Sequence, residues 1–163
     1  MDSLVDIDVR LIFAILNGKV SAAISRKLAR DFQKAGLDLK PEQWNVLQRL
    51  AYHDGVSQQE LCDAMFKDRP GMVRLVNSMV EAGFVTRALN RFDRRRNIIR
   101  ITEKGKRMQE ASIRVALLTL RGALRGLSLS DIRTTQAVLM TVFENITASL
   151  GTKPPTESKV AYD

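Results

Sequence analysis

The chain has 163 residues, 45% hydrophobic and 27% charged, which is ordinary for one globular domain with a core and leaves no run of about 18 apolar residues for a membrane span. The opening Met1-Asp2-Ser3-Leu4-Val5-Asp6 lacks the basic cluster of a secretory signal, and the single cysteine, Cys62, excludes an intrachain disulfide framework and fits a reducing, cytoplasmic setting. A formal net charge of +8 points to a polyanionic partner.

Residues 7–35 read as one long helix, with Ile12, Leu16, Val20, Ile24, Leu28 and Phe32 recurring every four positions, and Gly36 as its stop. A helix of that length needs a long partner surface, which a second subunit can supply. Pro41 opens the next helix in its first turn, with Trp44, Leu47, Leu50 and Ala51 on the inner face. Ser57-Gln58-Gln59-Glu60 is a capping box ahead of a short helix that turns Leu61 and Met65 inward. Asp68 is the next cap, and Met72, Leu75, Val76 and Met79 continue at helical spacing to Gly83. Two short helices joined by a tight turn, the second bearing arginine, form the helix-turn-helix layout.

After Gly83 the period changes. Phe84-Val85-Thr86-Arg87 and Asn97-Ile98-Ile99-Arg100-Ile101-Thr102 read as two strands of a hairpin around a basic connection. Thr102 then caps a helix over about 103–126, whose inner face is read as Met108, Ala111, Val115, Leu118 and Leu124. Ser128-Leu129-Ser130-Asp131 starts a last helix carrying Ile132, Val138, Leu139, Val142, Phe143, Ile146 and Leu150. The polar segment 151–163, with Pro154-Pro155, is expected to be a disordered tail.

The charge is not spread evenly. Residues 69–100 hold eight arginines and no lysine, against two acids, Glu81 and Asp93, so this window carries six of the eight net positive charges. Arginine's planar fork suits phosphates and base edges better than a lysine does.

The ordered fragments Leu39-x-x-x-Gln43-Trp44-x-Val46-Leu47, Ser57-Gln58-x-Glu60-Leu61, Val73-Arg74-Leu75-Val76, Gly83-Phe84-Val85-x-Arg87, Asp93-Arg94-Arg95 and Ile101-Thr102-x-x-Gly105 resemble the MarR family of bacterial regulators over about residues 7–150. The resemblance implies a mainly α (α+β) winged helix-turn-helix fold. Residues 1–36 and 106–150 would be dimerisation helices, and 37–105 the DNA-binding domain. It further implies an intertwined homodimer on palindromic double-stranded DNA, in many members released by a small aromatic effector. The chain departs from the family pattern at Lys40, where a threonine cap is common, and at Pro70-Gly71 in the recognition helix.

The expected function is a sequence-specific transcriptional regulator, a repressor responsive to a small molecule; the alternative is a non-specific architectural DNA-binding protein. Arg69 and Arg74 are the expected base contacts, since a guanidinium can bind guanine O6 and N7 together. Gly71 is expected to let the backbone approach DNA, and Ser57 and Asn77 to reach phosphates. In the wing, Arg95 suits the narrow minor groove, Arg91, Arg94 and Arg96 suit phosphates, and by resemblance Asp93 orients a wing arginine. Arg107 is expected to approach the DNA backbone near the wing, while Arg114 and Arg121 read as a solvated face. No catalytic constellation, phosphate-cradling glycine motif, cofactor site or metal site is expected: His53 is the only histidine, and with Cys62 it supplies too few ligands. Cys62 reads as a buried small residue. Ligand-binding residues are not legible beyond the neighbourhood of Trp44 and the first helix.

Overall fold

The computed structural model describes residues 18–89 and 97–151. Their elements are α1 (Val20–Lys34), α2 (Pro41–Tyr52), β1 (Val56–Ser57), α3 (Gln58–Met65), α4 (Arg69–Glu81), β2 (Val85–Leu89), β3 (Asn97–Ile101), α5 (Glu103–Ala123) and α6 (Leu129–Ser149). The first half of the long helix read over 7–35 lies outside the described residues. Gly18 has φ +100, a value no continuous α-helix contains, so the described helix begins at Val20.

Local chemistry sets most helix starts. Ser57 Oγ accepts from the Glu60 amide at 3.2 Å while Glu60 Oε2 accepts from the Ser57 amide at 2.7 Å, closing the box that opens α3. Asp68 accepts from the Gly71 amide at 3.2 Å and starts α4, with Pro70 in the first turn, where its missing N–H is not needed. At α2, Lys40 supplies no side-chain cap, but Gln43 Oε1 accepts from the Lys40 amide at 3.0 Å, so half of the box survives the lost threonine. The amide of buried Gln43 also donates to Ser78 Oγ at 3.3 Å, tying α2 to α4.

The core is central and built from large side chains. Phe32, Val46, Leu47, Leu61, Met72, Val76, Met79 and Ile99 are all 0% exposed. Filling of this kind stabilises by roughly 1.5–3 kcal/mol for each large side chain fully buried. Ala51, read as inward from its spacing, is exposed at the end of α2.

The hairpin β2–β3 is antiparallel, from Val85 opposite Ile101 to Leu89 opposite Asn97. A third strand, β1, adds to β3 with Val56 opposite Ile99, giving the order β1-β3-β2. Two residues are too few to show a period, so the sequence did not announce β1. The start of α5 presses onto the hairpin: Thr102 Oγ1 donates to the Gly83 carbonyl at 2.6 Å and accepts from the Gly105 amide at 3.0 Å. A Cβ at Gly105 would stand 2.1 Å from the Phe84 carbonyl oxygen, so only glycine fits.

The inner face of α5 differs from the one read by hydrophobicity. Ser112, Ala116 and Thr119 are buried and Met108 and Val115 half-buried, while Ala111, Leu118 and Leu124 are exposed. Small side chains at this seam let α1 come close, and Thr119 Oγ1 donates to Asp31 of α1 at 2.6 Å. A larger residue there would hold the helices apart. On α6 only Thr147 is buried; Leu129, Val138, Leu139, Ile146 and Leu150 are exposed. Its aromatic tie to the centre is Phe143, edge-on to Phe66 with ring centroids 5.1 Å apart.

Candidate nucleic-acid interface

The α3–turn–α4 unit and the β2–β3 hairpin are mounted on one core, so α4 is held rigidly by Met72, Leu75, Val76 and Met79 on its inner side. The opposite side presents Arg69, Val73, Arg74 and Asn77 to solvent. Arg74 is exposed and makes no hydrogen bond or ion pair with any described residue. Arg69 is held from α3: its Nε donates to Gln59 Oε1 at 3.0 Å. Asn77 Oδ1 accepts from Arg87 Nη2 at 2.8 Å, linking α4 to the base of the wing.

Two expected site residues sit in other surroundings than their spacing suggests. Ser57 is 6% exposed, paired in β1, and its hydroxyl is spent on the α3 cap, so it does not sit at an exposed helix start ready for phosphate. Gly71 is buried, and a Cβ there would meet Asp68 Oδ1 at 2.6 Å. The cap that starts α4 is thus one reason for a glycine at this position. Arg91, Asp93, Arg94, Arg95 and Arg96 lie outside the described residues.

Of the two remaining arginines of the basic window, Arg87 was overlooked as a site residue although it stands exposed on β2 beside α4. Arg100 has a structural task. It lies 3.6 Å from Asp54, its guanidinium covers Gly55, and Asp54 accepts from the Ile101 amide at 2.8 Å. Arg107, Arg114 and Arg121 are exposed on α5, as a solvated face requires.

Burial pushes the Cys62 thiol above its ordinary value of 9.0, with neighbouring Asp63 adding to the effect, so the thiolate is disfavoured. His53 is exposed at the end of α2, where its amide donates to the Arg49 carbonyl. Among the described residues no group of three or more His, Cys, Asp or Glu could hold a metal ion, and no helix is long and apolar enough to cross a membrane.

A second feature lies away from the arginines. A cleft of about 820 Å³ runs between α1 and α5, with Ala23, Ile24, Val115 and Leu118 as apolar wall and Lys27, Lys34 and Arg125 as cations. Asp31, in the same cleft, is bound by Lys27 and by the Thr119 hydroxyl, which hold its carboxyl below the ordinary carboxylate value. Trp44 does not line this cleft; its ring packs at a tilt against Phe32, 6.3 Å between centroids.

An arginine-bearing helix seated on a core beside a three-stranded wing defines a winged helix-turn-helix protein. Residues 37–96 match the sequence model of the MarR family. A putative transcriptional regulatory protein for the hcr operon of Thauera aromatica is 32% identical over 93 residues, 57% of this chain and 54% of the relative. The chain thus matches about half the length of that curated relative. Among solved structures, a mutant MarR from E. coli complexed with operator DNA superposes with a TM-score of 0.74 at 20% identity, covering 82% of this chain and 94% of that one. CouR from Rhodococcus jostii RHA1, bound to p-coumaroyl-CoA, superposes with a TM-score of 0.69 at 22% identity, covering 87% and 95%. Over residues 37–96 the chain is similar to the MarR family, and its fold is that of the solved MarR-family regulators.

Proposed function

We propose that this chain is a sequence-specific DNA-binding regulator that acts as a homodimer on palindromic DNA, represses, and answers to a small-molecule effector. The observation that carries the reading is the outer face of α4, where Arg69 and Arg74 stand exposed on a helix whose inner face is locked into the core. Rigid mounting matters because base-edge hydrogen bonds carry sequence preference only when their geometry is held. The E. coli relative bound to operator DNA, of the same fold, supports the assignment. In the wing, Arg95 is assigned to the minor groove, Arg91, Arg94 and Arg96 to phosphates, and Asp93 to orienting an arginine.

The exposed apolar residues of α5 and α6 support the dimer. Leu118, Leu127, Leu129, Val138, Ile146 and Leu150 are each more than half exposed, and an apolar face of that extent is unusual on a monomer. A two-fold pair would place two copies of α4 about one DNA turn (~10 bp) apart. The cleft between α1 and α5 has the size of a small-molecule site. Its apolar wall and cationic rim suit an aromatic ligand with an anionic end, the chemistry of the p-coumaroyl-CoA that CouR binds.

The test is enrichment of fragments from a random duplex library at near-physiological salt. A recovered palindrome with half-sites about one turn apart supports the reading. Binding without enrichment that falls steeply with salt overturns it in favour of a non-specific, architectural DNA-binding protein.

A further inference from the structure

Among the described residues Arg69 is not paired with a carboxylate. Its Nε–H is accepted by the neutral amide oxygen of Gln59 at 3.0 Å, and the other end of that amide donates to Asp63 Oδ1 at 2.8 Å. Gln59 and Asp63 are four residues apart, on the same side of α3. This chain of bonds has only one orientation that works. A carboxylate accepts and never donates, so it takes the NH₂ of Gln59 and turns the oxygen toward Arg69. Flipping the amide would set two donors against each other and two acceptors against each other.

The choice of nitrogen has a consequence. With Nε–H occupied, the free donors of Arg69 are those on its two η nitrogens, which form the end-on fork that matches guanine O6 and N7. Arg87 is held the other way, through Nη2 by Asn77 at 2.8 Å, so its end-on fork is half occupied and suits a single phosphate oxygen. A neutral acceptor also steers Arg69 while its positive charge stays uncancelled; a direct carboxylate partner would offset the attraction to DNA.

We infer that Gln59 and Asp63 are positioning residues that aim Arg69 end-on at a guanine edge, making Arg69 a base reader and leaving Arg87 as an anchor. The inference rests on the DNA-binding reading above and adds to it two residues that touch no DNA base themselves.

The test uses the full-length protein and the duplex recovered by enrichment, together with duplexes in which each G·C pair of a half-site is replaced in turn. Gln59→Leu is expected to lower discrimination at one G·C pair about three- to tenfold, the worth of one ordinary hydrogen bond. Arg69→Ala should abolish discrimination at that same pair, and adding Gln59→Leu to it should change nothing more. The dependence of affinity on salt should stay at the wild-type slope, because no phosphate contact is lost. Asp63→Ala, which frees the amide without removing it, should give a smaller fall at the same pair. A merely structural role would lower binding to every duplex equally and would persist in the Arg69→Ala background; either result overturns the inference. Unchanged discrimination in Gln59→Leu also overturns it, while leaving the DNA-binding reading intact. A wild-type protein that binds no duplex overturns both.

Discussion

The central lobe and the terminal helices follow opposite rules. In the lobe, from α2 to the start of α5, the large apolar side chains are inside: Leu47, Leu61, Met72 and Met79 have no exposed surface. Along α5 and α6 the buried positions are Gly105, Ser112, Ala116, Thr119 and Thr147, while Leu117, Leu118, Leu129 and Leu139 are exposed. The lobe, with Leu28 and Phe32 of α1, therefore completes its own core, whereas α5 and α6 bury small residues and leave apolar surface exposed.

The sharpest way to break this contrast is at the joint between the two regions. Gly105→Ala puts a methyl group against the Phe84 carbonyl, 2.1 Å from where its Cβ must stand. We expect a loss of at least ~3 kcal/mol in chemical denaturation, since backbone on both sides leaves nothing to rotate away. A loss below 1 kcal/mol, on the order of an ordinary surface change, would show that α5 is free to lift off the hairpin.

The next effect compares one leucine from each region. Leu47→Ala should cost about 2–5 kcal/mol at every protein concentration. Leu139→Ala, at a position 47% exposed, should cost far less in the isolated chain. If a second copy covers it, its cost should grow with protein concentration and vanish on dilution, because stability is then coupled to association. Sedimentation of a Leu139→Asp, Ile146→Asp double variant should show monomers where the unaltered chain shows dimers. Dimers in both would remove the apolar face from the interface.

A smaller effect separates the arginines of the lobe. Arg74→Ala should cost about 1–3 kcal/mol on a preferred duplex and less on random DNA. Equal losses on both, measured by titration, would reduce Arg74 to a phosphate contact.

The smallest effect is local to the α3 cap. Hydrogen bonds from Ser57, first its side chain and then its backbone amide, hold the Glu60 carboxyl below its ordinary 4.5. A depressed carboxylate means the unfolded chain binds the proton more readily, so stability from this group is present above about pH 4.5 and is lost as pH falls through the lower folded value. Glu60→Gln should therefore flatten part of the acid limb of the stability curve while changing neutral-pH stability little. An unchanged acid limb would mean the carboxylate contributes nothing there.

Much of this architecture was legible because its signals are local. Caps at Ser57, Asp68, Thr102 and Ser128 act between residues three apart, and each starts a helix where its spacing predicts. The stripe of α4 was read correctly because that helix packs on a single core. The same reasoning failed on α5, where hydrophobicity selected Leu118 and Leu124 over Ser112 and Ala116. A period tells which residues share a face. It does not tell whether that face meets its own chain, and a seam needing close approach selects small residues over apolar ones.

The site divides in the same way. Arg69, Arg74 and Asn77 are exposed on α4 because a 3.6-residue repeat puts them opposite Met72, Leu75, Val76 and Met79, and that follows from the chain alone. Ser57 is less exposed than its helix-start position suggests because it pairs with β3, and the space beside Gly71 is taken by the carboxylate that caps its own helix. The grip of Gln59 on Arg69 spans ten residues and two helices, and no spacing rule covers that distance. The sequence by itself determined the order of elements, their caps, the basic window and the family resemblance. Tertiary structure alone decided which helix faces are sealed, which nitrogen of each arginine is left free, and where a cleft opens, because these depend on atoms brought together from separate elements.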